Sequence, residues 1–507
     1  MSAVVLDGDA TVDQILAVAG GAAISLDGIA LAQVARNREA LERLLASGAS
    51  VYGINTGFGA LVTSRVAPEH QGRLQLNLLR SHAAGVGADL PLEVVRAAIA
   101  IRISGLLRGH SGVRPIVLER VVELLNAGYV PRVPATGSLG ASGDLAPSAH
   151  AFLPLVGEGE VYDSDGALVG GGDALRAVGL EPLSLEGKEG LALINGTHFM
   201  TAVGVLLSAR VAALLDGLDL IAAMTVDALR GAPAAFDVRV HRLRPLPGQG
   251  VSAANIRAAL RGSARLGSGP LQDAYSLRCA AQVHGAAREA LRFFASLVEV
   301  DLCSVTDNPL VFDDPPEVIS GGNFHGQSLA LAFDTLRIAL ADLGSISERR
   351  VFRLLSPSLN GSLPAFLTRD AGASSGYMVA QYTAAALVSE LRALAQPVSI
   401  DNVPTSDSQE DHVSMGMTGA LLALAAVPRL EQIAAIELLC GCQALDCDPG
   451  PTGVCVAQLW DAVRELVPVL LEDRPPSADV AAVLPLVRDG VVAAILRGAA
   501  TSEEIAA

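Results

Sequence analysis

Aromatic side chains are scarce in this 507-residue chain, at 4% with a single Trp, and charged residues reach only 18%. A core must therefore be built from aliphatic residues. Apolar residues supply it at 51%, which excludes a disordered chain, and no low-complexity tract interrupts the composition. Six cysteines are too few for a disulfide scaffold of this length. Cys440, Cys442 and Cys447 cluster without the C-x-x-C spacing of a zinc site and within a helical pattern. They read as small buried hydrophobes, and no metal is expected. Basic residues are in deficit: 36 Lys+Arg against 53 Asp+Glu give a formal charge of -17. No basic patch offsets it, which argues against nucleic acid or anionic lipid as partners. The longest uncharged run, Gly190 to Ala209, has the length of a membrane span, but Asn195, Gly196, Thr197 and His198 occupy its first half. The N-terminus carries Asp7, Asp9 and Asp13 with no basic stretch ahead of an apolar one. No leader is expected, and cytoplasm is the default.

What is abundant is helical periodicity. Leu329, Phe333, Leu336, Leu340 and Leu343 fall on one face of a helix predicted from about Ser328 to Leu355. Similar Ala/Leu-rich patterns cover Val203 to Arg230, Ala286 to Leu302, Val379 to Ala395, Leu421 to Leu445 and Val456 to Leu471. Long helices with small side chains predict a bundle. The first half is more broken, with shorter helices such as Leu31 to Ala46 and Leu92 to Leu107. Two hairpins are predicted, one turning at Asp165-Gly166 and one at Asp313 to Glu317. The expectation is a mainly α protein with a smaller mixed N-terminal region, residues 1–200, and a long-helix bundle, residues 201–507.

The least ordinary segment is Ala135-Thr136-Gly137-Ser138-Leu139-Gly140-Ala141-Ser142-Gly143-Asp144-Leu145-Ala146-Pro147. Within it, Ala141-Ser142-Gly143 has what an internal cyclisation needs. Gly143 offers an unhindered amide nitrogen, Ala141 a carbonyl beside a small side chain, and Ser142 a hydroxyl that can leave as water. The product is a methylidene-imidazolone, an electrophile made by the chain itself.

Further segments give this tripeptide its context: Val51-Tyr52-Gly53-Ile54-Asn55-Thr56-Gly57-Phe58-Gly59, Arg80-Ser81-His82-Ala83-Ala84-Gly85, Leu193-Ile194-Asn195-Gly196-Thr197, Gln272-Asp273-Ala274-Tyr275-Ser276-Leu277-Arg278-Cys279, Thr306-Asp307-Asn308-Pro309, Gly322-Asn323-Phe324-His325-Gly326 and Gln409-Glu410-Asp411-His412-Val413-Ser414-Met415. In this order they resemble the signature segments of the aromatic amino acid ammonia-lyases. The resemblance implies a fumarase/aspartase-like architecture, a homotetramer with active sites shared between subunits, and a methylidene-imidazolone from Ala141, Ser142 and Gly143 with no external cofactor. It assigns the catalytic base to Tyr52 and an assisting phenol to Tyr275. Arg278 would hold the substrate carboxylate, Asn195 and Gln272 would lie beside it or the electrophile, and His82, Phe324 and Glu410 would face the substrate ring.

Within the family, Glu410-Asp411-His412-Val413-Ser414-Met415 resembles the branch that converts L-histidine to trans-urocanate and ammonia. A carboxylate can accept a hydrogen bond from an imidazole N–H, which a phenyl ring cannot offer. Tyrosine or phenylalanine deamination, or a 2,3-aminomutase that returns the ammonia to the β-carbon, remains the alternative. Ala281, Leu391, Ser148 and Ser408 depart from the family's usual residues, and Leu391 and Ser408 bear on substrate identity. From another class, a serine hydrolase could use Ser142 with His150 or His325, but Asp144 stands where a G-x-S-x-G elbow needs its last glycine. No Walker loop or H-E-x-x-H occurs.

Overall fold

A computed structural model describes residues 3–48, 51, 53–57 and 65–499. The protein is mainly α-helical, and among the described residues its strands are confined to four small sheets. Val4–Leu6 runs parallel to Ile24–Leu26, and Val86–Asp89 antiparallel to Pro134–Thr136. Both predicted hairpins form: Glu160–Tyr162 pairs with Leu168–Gly170 and also with Val130–Pro131, and Leu310–Asp313 pairs with Pro316–Ile319.

Two compact units divide the chain. One comprises Met1–Leu206, Phe294–Asp334 and Pro397–Leu421; the other comprises Leu207–Phe293, Thr335–Gln396 and Leu422–Ala507. The two parts expected on either side of residue 200 are each continuous in sequence, whereas these units are not. Most crossings fall inside helices, His198–Ala228, Ala280–Leu302, Gln327–Leu355 and Gly416–Cys447, so no Pro/Gly/Ser linker marks them.

The first unit is built around helix Leu92–Leu107. Almost every residue from Val94 onward is buried, which is the signature of a helix surrounded by protein. Its two buried arginines are reconciled with that setting by backbone carbonyls. Arg96 donates to Val18 O and Ala22 O at 2.7 and 3.0 Å, and Arg102 donates to Ala192 O. Three shorter helices, Gln71–His82, Leu145–Phe152 and Glu189–Ile194, pack against one another in the same unit. The uncharged run from Gly190 is thereby broken: one helix ends at Ile194 and the next starts at His198.

In the second unit, the periodic face of Gln327–Leu355 continues with Leu336, Leu340 and Leu343 at 1% exposure or less. Gly416–Cys447 is, among the described residues, the one helix long and apolar enough to cross a membrane. Its acidic groups are matched within the protein, however. Glu431 pairs with Arg210, and fully buried Glu437 accepts from Arg350 Nε and Nη2 at 2.5 and 2.9 Å, from Ser347 at 2.6 Å and from Thr225 at 2.8 Å. Cys440 and Cys442 are buried on the same helix, and burial pushes the Cys442 thiol up to about 12.

Removing one charge of a buried pair strands the other, at a cost of about 3–5 kcal/mol. Glu437→Gln is therefore expected to lower the urea unfolding midpoint far more than Thr225→Val, which deletes one hydrogen bond worth about 1 kcal/mol. Equal shifts for the two variants would show that the Arg350 charge is neutralised by other groups.

Candidate active site

Segment 137–147 leaves strand Pro134–Thr136 and enters helix Leu145–Phe152. Its turn is made possible by Gly143, whose φ is +79°. Gly143 bridges Gly196, and a Cβ built on Gly143 would lie 2.1 Å from Gly196 O. No side chain fits there. Asp144 N donates to Gly196 O at 2.7 Å, and Ser138 Oγ lies 3.3 Å from Gly143 O and 3.0 Å from Asp144 Oδ1. The other Asp144 oxygen accepts from Met200 N at 2.9 Å, at the start of helix His198–Ala228. Burial raises the Asp144 carboxyl to about 7, against the opposing pull of Met200 N and Ser138. A strap completes the loop: Met415 N donates to Leu139 O at 2.8 Å and Ser414 Oγ to Gly140 O at 3.0 Å.

The ends of the three mutually packed helices converge on Ser142. Asn195, just beyond Glu189–Ile194, donates from Nδ2 to Ser142 O at 2.7 Å. That bond fixes the amide's orientation and leaves Asn195 Oδ1 buried with no partner. Ser142 Oγ donates to Glu410 Oε1 at 3.1 Å, and Glu410 Oε2 accepts from Thr405 Oγ1 at 2.7 Å. His82 closes helix Gln71–His82 with its Nδ1 2.9 Å from Leu78 O. A carbonyl only accepts, so Nδ1 carries the proton and Nε2 of the neutral ring is an acceptor. Burial pushes the His82 imidazole below its ordinary value, opposed by the Leu78 carbonyl and by Glu410, which favours that neutral ring.

His82, Ser142, Leu191, Asn195, Phe324 and Glu410 line one cavity of about 410 Å3, the size of a single small molecule. A second cavity of about 360 Å3 lies against Ala141, Ser142, Phe324 and Glu410 and extends to His325 and His412. Asn308 borders both. Its segment is anchored by the preceding Asp307, which accepts from fully buried Lys188 at 2.7 Å and has Arg102 at 3.8 Å. The serine-hydrolase reading fails on the same geometry. The Ser142 hydroxyl bonds a carboxylate, while His150 Nε2 accepts from Gly85 N at 3.0 Å and His325 Nε2 faces His412 O at 3.2 Å.

Gln272, Tyr275 and Arg278 belong to the second unit. The Arg278 guanidinium stands 4.6 Å over the Tyr275 ring, and with its carbonyl oxygen turned towards Arg278, Gln272 accepts from Nη1 and Nη2 at 2.9 and 3.2 Å. Arg278 Nε is buried without a partner, and Tyr275 is 71% exposed. Gln272 also borders a cavity of about 770 Å3 within that unit. Tyr52, expected as the base, lies outside the described residues.

A family model described as aromatic amino acid lyase matches residues 10–465. The chain belongs to that family. It is 48% identical over 505 residues to a histidine ammonia-lyase of Symbiobacterium thermophilum, covering 99% of both chains. It is also 48% identical to a histidine ammonia-lyase of Gloeobacter violaceus, over 96% of each. Among solved structures, the Trypanosoma cruzi histidine ammonia-lyase superposes with a TM-score of 0.92 at 40% identity, covering 99% of this chain and 97% of that one. A Streptomyces globisporus tyrosine aminomutase superposes with 0.94 at 36%, covering 98% and 99%. This protein is thus an enzyme of the carbon–nitrogen lyase class with that family's helical fold, and membership supports a methylidene-imidazolone of the type found in the family.

The residues present fit that group. Gly143 has the left-handed backbone and the blocked Cβ position of a residue that must remain glycine, and an amide donor already rests on Ser142 O. Sequence reasoning about this lyase passed over Ser138, Asp144, Thr405 and Asn308 as participants. Ser138, Asp144 and Asn308 lie inside the motif segments, whereas Thr405 gave no local signal.

Because the Asp144 value lies above an ordinary carboxyl's, folding takes up a proton between 3.8 and about 7. Its contribution to stability is full below that window and is lost as pH rises through it. Asp144→Asn keeps an acceptor for Met200 N and is expected to flatten the fall of the thermal unfolding midpoint across the window. An unchanged slope would show that Asp144 is ionised throughout.

Proposed function

We propose that this enzyme deaminates L-histidine to trans-urocanate and ammonia. The observation that carries the reading is the joint placement of Glu410 and His82 in the cavity that also holds Ser142. The carboxylate and the Nε2 lone pair are two acceptors for a ring bearing N–H groups, and a phenyl ring would leave both unpaired. Relatives named histidine ammonia-lyase at 45–48% identity support the same substrate.

The methylidene-imidazolone that Ala141, Ser142 and Gly143 would form supplies an electrophilic carbon that makes the substrate amine a better leaving group. The chain's own residues do the rest. Asn195 holds the Ser142 carbonyl oxygen, where the nearby start of helix Leu145–Phe152 also favours negative charge. Tyr52 takes the β-proton in this reading. A phenol with an ordinary value of about 10 needs nearby donors to do so at neutral pH. Arg278 pairs with the substrate carboxylate, Gln272 steadies its guanidinium, and Tyr275 assists. These three act across a subunit boundary in a homotetramer. Its support lies in the resemblance and in the exposure of Tyr275. The reading includes a cytoplasmic location, supported by six free cysteines, a small-molecule substrate, and no nucleic-acid or membrane partner.

Mass-spectrometric product analysis with L-histidine, L-tyrosine and L-phenylalanine tests it. A product lighter than histidine by one ammonia is expected, and Ser142→Ala is expected to lower kcat at least about a thousandfold. His82→Leu is expected to lower kcat/KM for histidine about tenfold or more, the effect of one lost hydrogen bond to a buried polar group. An isomer of equal mass would instead identify an aminomutase, and turnover of tyrosine or phenylalanine alone would refute the role given to Glu410.

A further inference from the structure

The Ser142 hydroxyl must be lost if residues 141–143 are to become an electrophile, and hydroxide is a poor leaving group without a proton donor. The side chain bonded to that hydroxyl is Glu410, at 3.1 Å. We propose that Glu410 is the acid that removes the Ser142 hydroxyl during self-processing, and that Thr405 is the residue that positions it.

Glu410 is held by an uncommon piece of backbone. Thr405 and Glu410 form an antiparallel bridge, with Thr405 N donating to Glu410 O at 2.9 Å and Glu410 N to Thr405 O at 3.3 Å. Between them Ser406, Asp407 and Ser408 have φ values of 50, 53 and 64°, three consecutive left-handed residues, none of them glycine. Such conformations persist where surrounding contacts over-determine them, and they gather at functional sites. The turn aims one carboxyl oxygen at Ser142, while Thr405 Oγ1 occupies the other at 2.7 Å. Oε1 is the oxygen left facing the hydroxyl.

The chemistry balances without an external oxidant or reductant. The Gly143 N–H adds across the Ala141 carbonyl, and the resulting hydroxyl leaves with the Ser142 N proton as a first water. The Ser142 Cα proton then passes to solvent and its electron pair forms the Cα=Cβ bond. Glu410 takes up a proton from solvent, in exchange for the one released from Cα, and the Cβ–Oγ bond breaks as Oγ receives that proton and leaves as a second water, which returns Glu410 to a carboxylate. Loss of Oγ also removes the partner of Oε1. Glu410 therefore becomes an open acceptor in the cavity only after processing, when a substrate ring can use it.

This inference rests on the reading that residues 141–143 cyclise, and the intact mass of the purified, substrate-free protein separates the two. Wild-type chain is expected to be lighter than its sequence by two waters. Glu410→Gln, which keeps the shape but cannot supply the proton, is expected to slow loss of the second water about a hundredfold or more. Glu410→Asp, which retains an acid, is expected to process faster than Gln. Thr405→Val is expected to process slowly, with rescue by Thr405→Ser. Helical circular dichroism matching wild type is required of each variant. If folded Glu410→Gln loses both waters at the wild-type rate, or if Gln and Asp fail equally, the proposal is overturned. A wild-type chain that loses no water overturns the cyclisation reading with it.

Discussion

The site depends on one contact between two stretches of main chain, Gly143 against Gly196. Each is glycine for a steric reason: a Cβ on Gly143 would run into Gly196 O, and one on Gly196 would lie 2.5 Å from Thr306 Oγ1. This seam brings Asn195 onto the Ser142 carbonyl from one side and lets Asp144 reach the start of helix His198–Ala228 from the other. Move the seam by an ångström and both bonds are lost together. The seam also explains why Asp144 N bonds Gly196 O at 2.7 Å, since a buried backbone turn has no water to satisfy it.

Around that seam the protein uses helix ends rather than helix faces. His82 closes one helix, Ser142 precedes another and Asn195 follows a third. Helix ends are where backbone groups lack intrahelical partners and where partial charges collect. A reaction that shifts negative charge onto an oxygen benefits from them. The supporting ion pairs, Lys188 and Arg102 about Asp307, are buried deeply enough that their geometry is fixed before any ligand arrives, which is the preorganisation that electrostatic catalysis requires.

Much of this was legible in the sequence because it is locally determined. Helix Leu92–Leu107 matches its predicted limits, the predicted Ser328 start falls within one residue of Gln327–Leu355, and both hairpins form at their Gly- and Pro-bearing turns. Hydrophobic period and turn residues carry those features, and nothing distant overrides them. The motif segments also named Ser142, His82, Asn195, Phe324 and Glu410, which one unit brings together. The left-handed turn at Ser406, Asp407 and Ser408 was not legible, since its residues carry no glycine and its conformation is imposed by the 405–410 bridge. Thr405 was missed for the same reason. The discontinuous units have no local signature in the sequence, because helices cross between them without a break in periodicity.

The strap over the loop has a bearing on when chemistry can begin. Ser414, which bonds Gly140 O, lies 274 residues further along the chain, and ribosomes add roughly 5–20 residues each second. For some tens of seconds after residues 141–143 have been made, the segments that tie down their loop do not yet exist. A nascent chain in that interval carries an ordinary Ala-Ser-Gly peptide, harmless to the thiols and amines around it. On the proposed reading, in which residues 141–143 cyclise within the strapped loop, reactivity follows docking of the late segment, and a prematurely ended chain keeps its ordinary peptide.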